Sequence, residues 1–81
     1  MSANAQELWS ELLEVGPTNE DLRYIIRFVE TLRQQAWELL KPKATNEDIR
    51  YIIRFVEPLR QQATKLLKRS REEIMEDIKK L

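Results

Sequence analysis

Cysteine and histidine are absent from this 81-residue chain, and glycine occurs once, at Gly16. Without cysteine there is no disulfide framework, no thiol nucleophile and no thiolate metal site. Without histidine the commonest general base and the commonest metal ligand are missing. One glycine and three prolines are too few turn residues for the many chain reversals of an all-β domain, so helices with short connections are expected. No stretch approaches the roughly 18 consecutive apolar residues of a membrane span. The first residues, Met1-Ser2-Ala3-Asn4-Ala5, lack the basic segment and apolar run of a secretory leader, which makes a soluble protein of the cytosol the default expectation. An excess of either charge is missing too: 14 basic and 14 acidic side chains cancel. By segment, residues 1–17 carry −3, residues 18–43 carry +1, residues 44–69 carry +3 and residues 70–81 carry −1. Such a distribution creates no field for nucleic acid, an anionic membrane or an acidic substrate, and the +3 segment is read as a solvated face.

What is present is amphipathic helix, copied once. Hydrophobic residues are 42% and charged residues 35% of the chain, too apolar for disorder and suited to helices with one buried face. Residues 17–41 (PTNEDLRYIIRFVETLRQQAWELLK) return 27 positions later as residues 44–68 (ATNEDIRYIIRFVEPLRQQATKLLK), with differences only at Pro17/Ala44, Leu22/Ile49, Thr31/Pro58, Trp37/Thr64 and Glu38/Lys65. Self-similarity at a fixed period marks one supersecondary unit in tandem, each copy burying its apolar face on its neighbour.

Within the first copy Leu22, Ile25, Val29, Leu32, Ala36 and Leu39 alternate steps of three and four, a heptad seam. The second copy repeats it from Ile49 to Leu66. Thr18 and Thr45 stand three residues before Asp21 and Asp48, the spacing of a capping box at a helix start. Two stripes joined by about five residues predict an αα-hairpin. The expectation is one all-α domain over residues 1–81. It is a small bundle with two long antiparallel helices at about 19–41 and 46–68, flanked by short capping helices at 4–14 and 70–81. Its core is expected at Leu22, Ile25, Val29, Leu32, Ala36, Ile49, Ile52, Val56 and Leu59. Ser70 opens a further capping-box sequence before Ile74, Ile78 and Leu81, so either a fourth helix begins there or the second long helix runs through it.

Pro58 stands where the first copy has Thr31. Proline inside a helix removes one hydrogen bond and crowds the carbonyl four residues back, at a cost of about 3 kcal/mol. Because the apolar stripe crosses Pro58 without a change of phase, the preferred reading is a continuous, kinked helix. The alternative is that each copy is two short helices, with Thr31 and Pro58 at the start of the second.

No catalytic, cofactor-binding or metal-binding residue is assigned, and no cofactor or small-molecule substrate is expected. Arg23, Arg27, Glu30 and Gln34, repeated as Arg50, Arg54, Glu57 and Gln61, lie opposite the seam. They are read as solvated pairs along one helix rather than as an anion site. Tyr24 and Tyr51 are read as boundary core with wet hydroxyls. Glu72, Glu73, Glu76 and Asp77 cluster, but without histidine they lack the Glu-x-x-His spacing of a di-metal bundle. Leu8-Trp9 with Leu12-Leu13 is similar to helices that present tryptophan and leucines to a receptor groove, although the same spacing serves a core.

Two near-identical copies, heptad stripes, capping boxes and the lack of Cys and His together resemble a computationally designed helical protein. Proline in RYIIRFVEPLRQQ departs from idealised design and suits assembly from copies of a native helical fragment. The resemblance implies a structural helical scaffold without biochemical activity, and brings no functional residues. The alternative is an interaction module presenting an amphipathic surface to another protein. Self-association as a homodimer is expected, because short connections would leave the seam around Leu39, Leu40, Ile49 and Ile52 uncovered.

Overall fold

A computed structural model of the chain describes residues 4–81; residues 1–3 of the N-terminal stretch discussed above lie outside it. Every regular element among the described residues is helical. In chain order they are α1 (Ala5–Val15), α2 (Asn19–Phe28), a 3-10 turn (Glu30–Leu32), α3 (Arg33–Leu40), α4 (Asn46–Phe55), a second 3-10 turn (Glu57–Leu59), α5 (Arg60–Leu66) and α6 (Arg71–Lys79).

The helix starts fall where the capping residues place them. The hydroxyl of Thr18 accepts from the Asp21 amide at 3.1 Å and the Asp21 carboxylate accepts from the Thr18 amide at 3.0 Å. Thr45 and Asp48 repeat the exchange at 3.2 and 3.0 Å. Asn4 caps α1 through the Glu7 amide, and Ser70 caps α6 through the Glu73 amide. Gly16 ends α1 with φ 84°, a left-handed conformation that glycine adopts without the Cβ clash other residues meet.

The two long helices expected from the sequence are each broken in two. At Val29 the backbone leaves the helix at φ −117°, ψ 86°, and at Val56 it does so at φ −124°, ψ 84°. A 3-10 turn follows in each copy, and α3 folds back on α2 as α5 does on α4. Proline is not the cause, since the first copy, with Thr31, breaks at the same place. A device common to both is arginine: Arg33 Nε donates to the Ile26 carbonyl at 2.7 Å and Arg60 Nε to the Ile53 carbonyl at 3.0 Å. Each guanidinium takes up a carbonyl that the ended helix leaves open. An unbroken apolar stripe had favoured a continuous helix, but a stripe reports which residues face a core, not whether the axis reverses between them.

Each of the two similar stretches is therefore a two-helix hairpin. The second copy also does not run through Ser70, because α5 ends at Leu66 and the chain is extended at Leu67. Leu22 and Ile26 on α2, with Ala36, Trp37 and Leu40 on α3, are buried with Ile49, Ile52, Val56, Leu59 and Ala63 of the second copy in one cluster. Leu40, Ile49 and Ile52, expected to need a second chain, are covered within this one. Two expected core residues, Ile25 and Val29, are only half-buried, whereas their counterparts Ile52 and Val56 are 0% and 3% exposed. The difference is position: α2 covers the second copy on that side, and only α1 lies against the first.

α1 packs against the first 3-10 turn and buries Trp9. α6 makes no contact with any other helix and buries nothing. The result is elongated, 64 × 25 × 14 Å with a radius of gyration of 15.8 Å, against about 12 Å for a compact chain of this length.

Candidate functional site

The most developed polar constellation lies where the hairpins meet, between α2 and α4. Asp48, at the third position of α4, is 4% exposed. One of its oxygens accepts from the Thr45 amide and, at 2.9 Å, from Asn19 Nδ2. The other faces Arg23 Nε at 3.3 Å. A buried carboxylate is tolerated when it is both paired and hydrogen-bonded, and here it is tied to its own cap and to two residues of the preceding copy.

One turn along, Arg27 donates to the Tyr51 hydroxyl at 3.3 Å, and its guanidinium lies 3.9 Å from the centre of the Phe55 ring. Arg23 sits 5.1 Å over Tyr51. These are cation–π distances, and partial burial strengthens the attraction. Tyr51 and Phe55 are themselves tilted together at 4.9 Å. On the opposite edge Trp37 Nε1 donates to Gln62 Oε1 at 3.2 Å, so the buried indole leaves no unmet donor.

The arginines read from the sequence as solvated pairs thus have two fates. Arg23 and Arg27 are half-buried in the joint; Arg23 also pairs with Glu20 at 3.7 Å, but its shorter contact is to the other copy. Arg50 and Arg54 are exposed. Glu30 and Glu57 open the 3-10 turns, and Gln34 donates to Glu38 along α3. Tyr51 packs at the core boundary as expected, whereas Tyr24 is 60% exposed beside Phe28. Trp9 and Trp37 are core, while Leu8 and Leu13 remain exposed.

Asp77 of the acidic cluster pairs with Arg69 and Lys80, and among the described residues no three metal-ligating side chains converge. Elsewhere the ammonium of Lys41, hydrogen-bonded to Glu38, holds that exposed carboxyl below its ordinary 4.5, with Gln34 assisting. No helix among the described residues is long and apolar enough to cross a membrane.

Sequence reasoning missed Asn19, Asp48 and Gln62 as joint residues. The signal was present: Arg23 and Arg27 form one stripe, and Asp48, Tyr51 and Phe55 another. Both stripes occur in both copies, so the repeat alone does not say which meet. Chemically the joint is a network of paired polar groups in which Asn19, Arg23 and Arg27 each reach an acceptor of the neighbouring copy. No known family, curated protein or solved structure matches this chain.

Proposed function

We propose that this chain is a structural helical scaffold that performs no catalysis, built by stacking one hairpin unit on the next through the Asn19/Arg23/Asp48 and Arg27/Tyr51/Phe55 joint. The observation that carries the reading is that identical side chains take different burial according to their place in the stack. Ile52 is 0% exposed where Ile25 is half-buried, and Arg23 and Arg27 reach the other copy, whereas Arg50 is exposed and Arg54 lies only over Phe55 of its own helix. Such a molecule is quasi-one-dimensional, its stability a sum of unit terms and joint terms. Near identity of the copies supports an origin by design from a duplicated native-like hairpin.

Inserting a further copy of residues 17–43 between Lys43 and Ala44 tests this. The inserted unit gains a neighbour on both sides and repeats the joint, so the urea midpoint should rise while helicity per residue holds. A longer chain that unfolds at the same or a lower midpoint overturns the reading. A second reading, a protein-interaction module, draws on the exposed Leu8, Tyr24 and Phe28 at one end and Ile74 and Ile78 at the other. Self-association joins the two readings.

A further inference from the structure

An apolar groove of about 230 Å³ runs between α1 and α2, lined by Ala5, Leu8, Trp9 and Leu12 on one wall and Ile25 and Val29 on the other. Its place in the stack identifies what fits it. In the interior of the molecule α2 packs against α3 and α4 together. Shifting those two walls back by the 27-residue period gives α1 and α2: Leu39 and Leu40 return as Leu12 and Leu13, and Ile52 and Val56 return as Ile25 and Val29. By sequence register the groove is thus where a first-type helix would precede α1, while α1 itself packs directly on the first 3-10 turn, a contact that α3 does not make with the second. Trp9 stands where α3 has Ala36, making the floor shallower, and what stays open accepts aliphatic tips.

α6 has the pattern of that helix. Ser70, Glu73, Ile74, Ile78 and Leu81 repeat the cap, the third-position acid and the apolar positions of Thr45, Asp48, Ile49, Ile53 and Val56, at an offset of 25. Ile74 and Ile78 are 44% and 50% exposed. Nine residues of α6 extend about 14 Å, matching the roughly 15 Å of α2. α1 carries Glu7, Glu11 and Glu14 without a base, while α6, net acidic through Glu72, Glu73, Glu76 and Asp77, has its bases at its two ends, Arg71 at the start and Lys79 with Lys80 at the close. Antiparallel to α1, as α2 is to α3, it sets Arg71 near Glu14 and the lysines near Glu7. Lys79 corresponds to Arg54 and hence to Arg27, which lies on Phe55; in the groove its counterpart ring is Phe28, 58% exposed.

α6 does not serve its own chain in this way. The groove is lined by α1, α2 and the first 3-10 turn alone, α6 contacts none of them, and the four-residue connection Leu67–Ser70 extends at most about 14 Å. We infer that the groove between α1 and α2 receives helix α6 of a second copy, joining chains head to tail so that α6 of one and α1 of the next form a composite hairpin. This rests on the stacked-scaffold reading above and adds its mode of self-association. A contact of this kind uses different surfaces on the two copies and propagates into rings or filaments rather than closing as a two-fold dimer.

Two variants test it by sedimentation velocity from micromolar to millimolar concentration. Ile78→Glu blocks α6 and leaves the groove intact; Leu8→Glu blocks the groove and leaves α6 intact. Both positions are at least half exposed, and circular dichroism checks that each variant is folded. The unmodified chain should show masses rising with concentration above the 9.7 kDa of one chain. Each variant alone should stay monomeric, and their equimolar mixture should form a 1:1 dimer that grows no further, because one groove and one helix remain. An unmodified chain that stays monomeric, a variant that associates as the unmodified chain does, or a mixture that stays monomeric overturns the inference. None of these outcomes bears on the urea midpoint of the longer repeat chain, so the two proposals fail separately.

Discussion

Asp21 and Asp48 are the same residue at the same position of the same capping box, and only their neighbours differ. Asp21 is exposed and closes its cap alone, while Asp48 also holds Asn19 and Arg23. Asp21→Ala leaves the Thr18 cap but removes its reciprocal third-position carboxylate, and should cost about 0.3–1 kcal/mol. Asp48→Ala also strands a partly buried guanidinium and should cost about 3 kcal/mol, a gap that paired urea titrations resolve. Equal losses would show that the joint adds nothing. Glu38 makes a pH-dependent contribution of the opposite scale, since it is exposed. Its carboxyl is held down by the Lys41 hydrogen bond, so the stabilisation is present above the ordinary 4.5 and is lost as pH falls through the lower folded value. In an NMR titration the Glu38 midpoint should lie below 4.5, and Lys41→Met should move it up. The second copy has Lys65 and Lys68 at these places and cannot form the pair.

At the scale of the element, the break after Phe28 and Phe55 decides the architecture. Leu32 and Leu59, at φ −107° and −106°, show that the two turns share one geometry. Pro58 sits in the opening of its 3-10 turn, where a fixed φ near −65° suits the backbone and a missing amide costs little. Pro58→Thr should therefore be neutral or destabilising, against the gain expected of a continuous helix. The reciprocal Thr31→Pro should stabilise by about 0.4–1 kcal/mol, chiefly by restricting the unfolded chain. Denaturant midpoints of the two variants check both signs. The helix starts were legible because a threonine cap and its aspartate act within four residues. The reversal was not legible, because Arg33 closes it from seven residues away, through a contact that exists only after the chain has turned.

For the whole molecule, order should follow the stack. Amides of α2 and α4, beneath the joint, should exchange with solvent slowest. Those of α6 should exchange fastest at low concentration, since a free helix of about nine residues is marginal in water. Hydrogen exchange read by NMR would show this gradient, and equal protection of α6 and α4 in the dilute monomer would contradict it. Raising the concentration should slow exchange in α6 selectively if it docks into a neighbour's groove.

The sequence by itself determined the all-α class, the capped helix starts and most of the core: Leu22, Leu32, Ala36, Ile49, Ile52, Val56 and Leu59 are all buried. Each follows from interactions within a few residues or from a periodicity that any packing must respect. The tertiary structure alone decided that each copy folds back on itself and that Ile25 and Val29 lie open where Ile52 and Val56 are sealed. It also decided which arginines enter the joint. Two copies with nearly the same sequence carry nearly the same local information, so what distinguishes Arg23 from Arg50 is not its own chemistry but whether another hairpin stands against it.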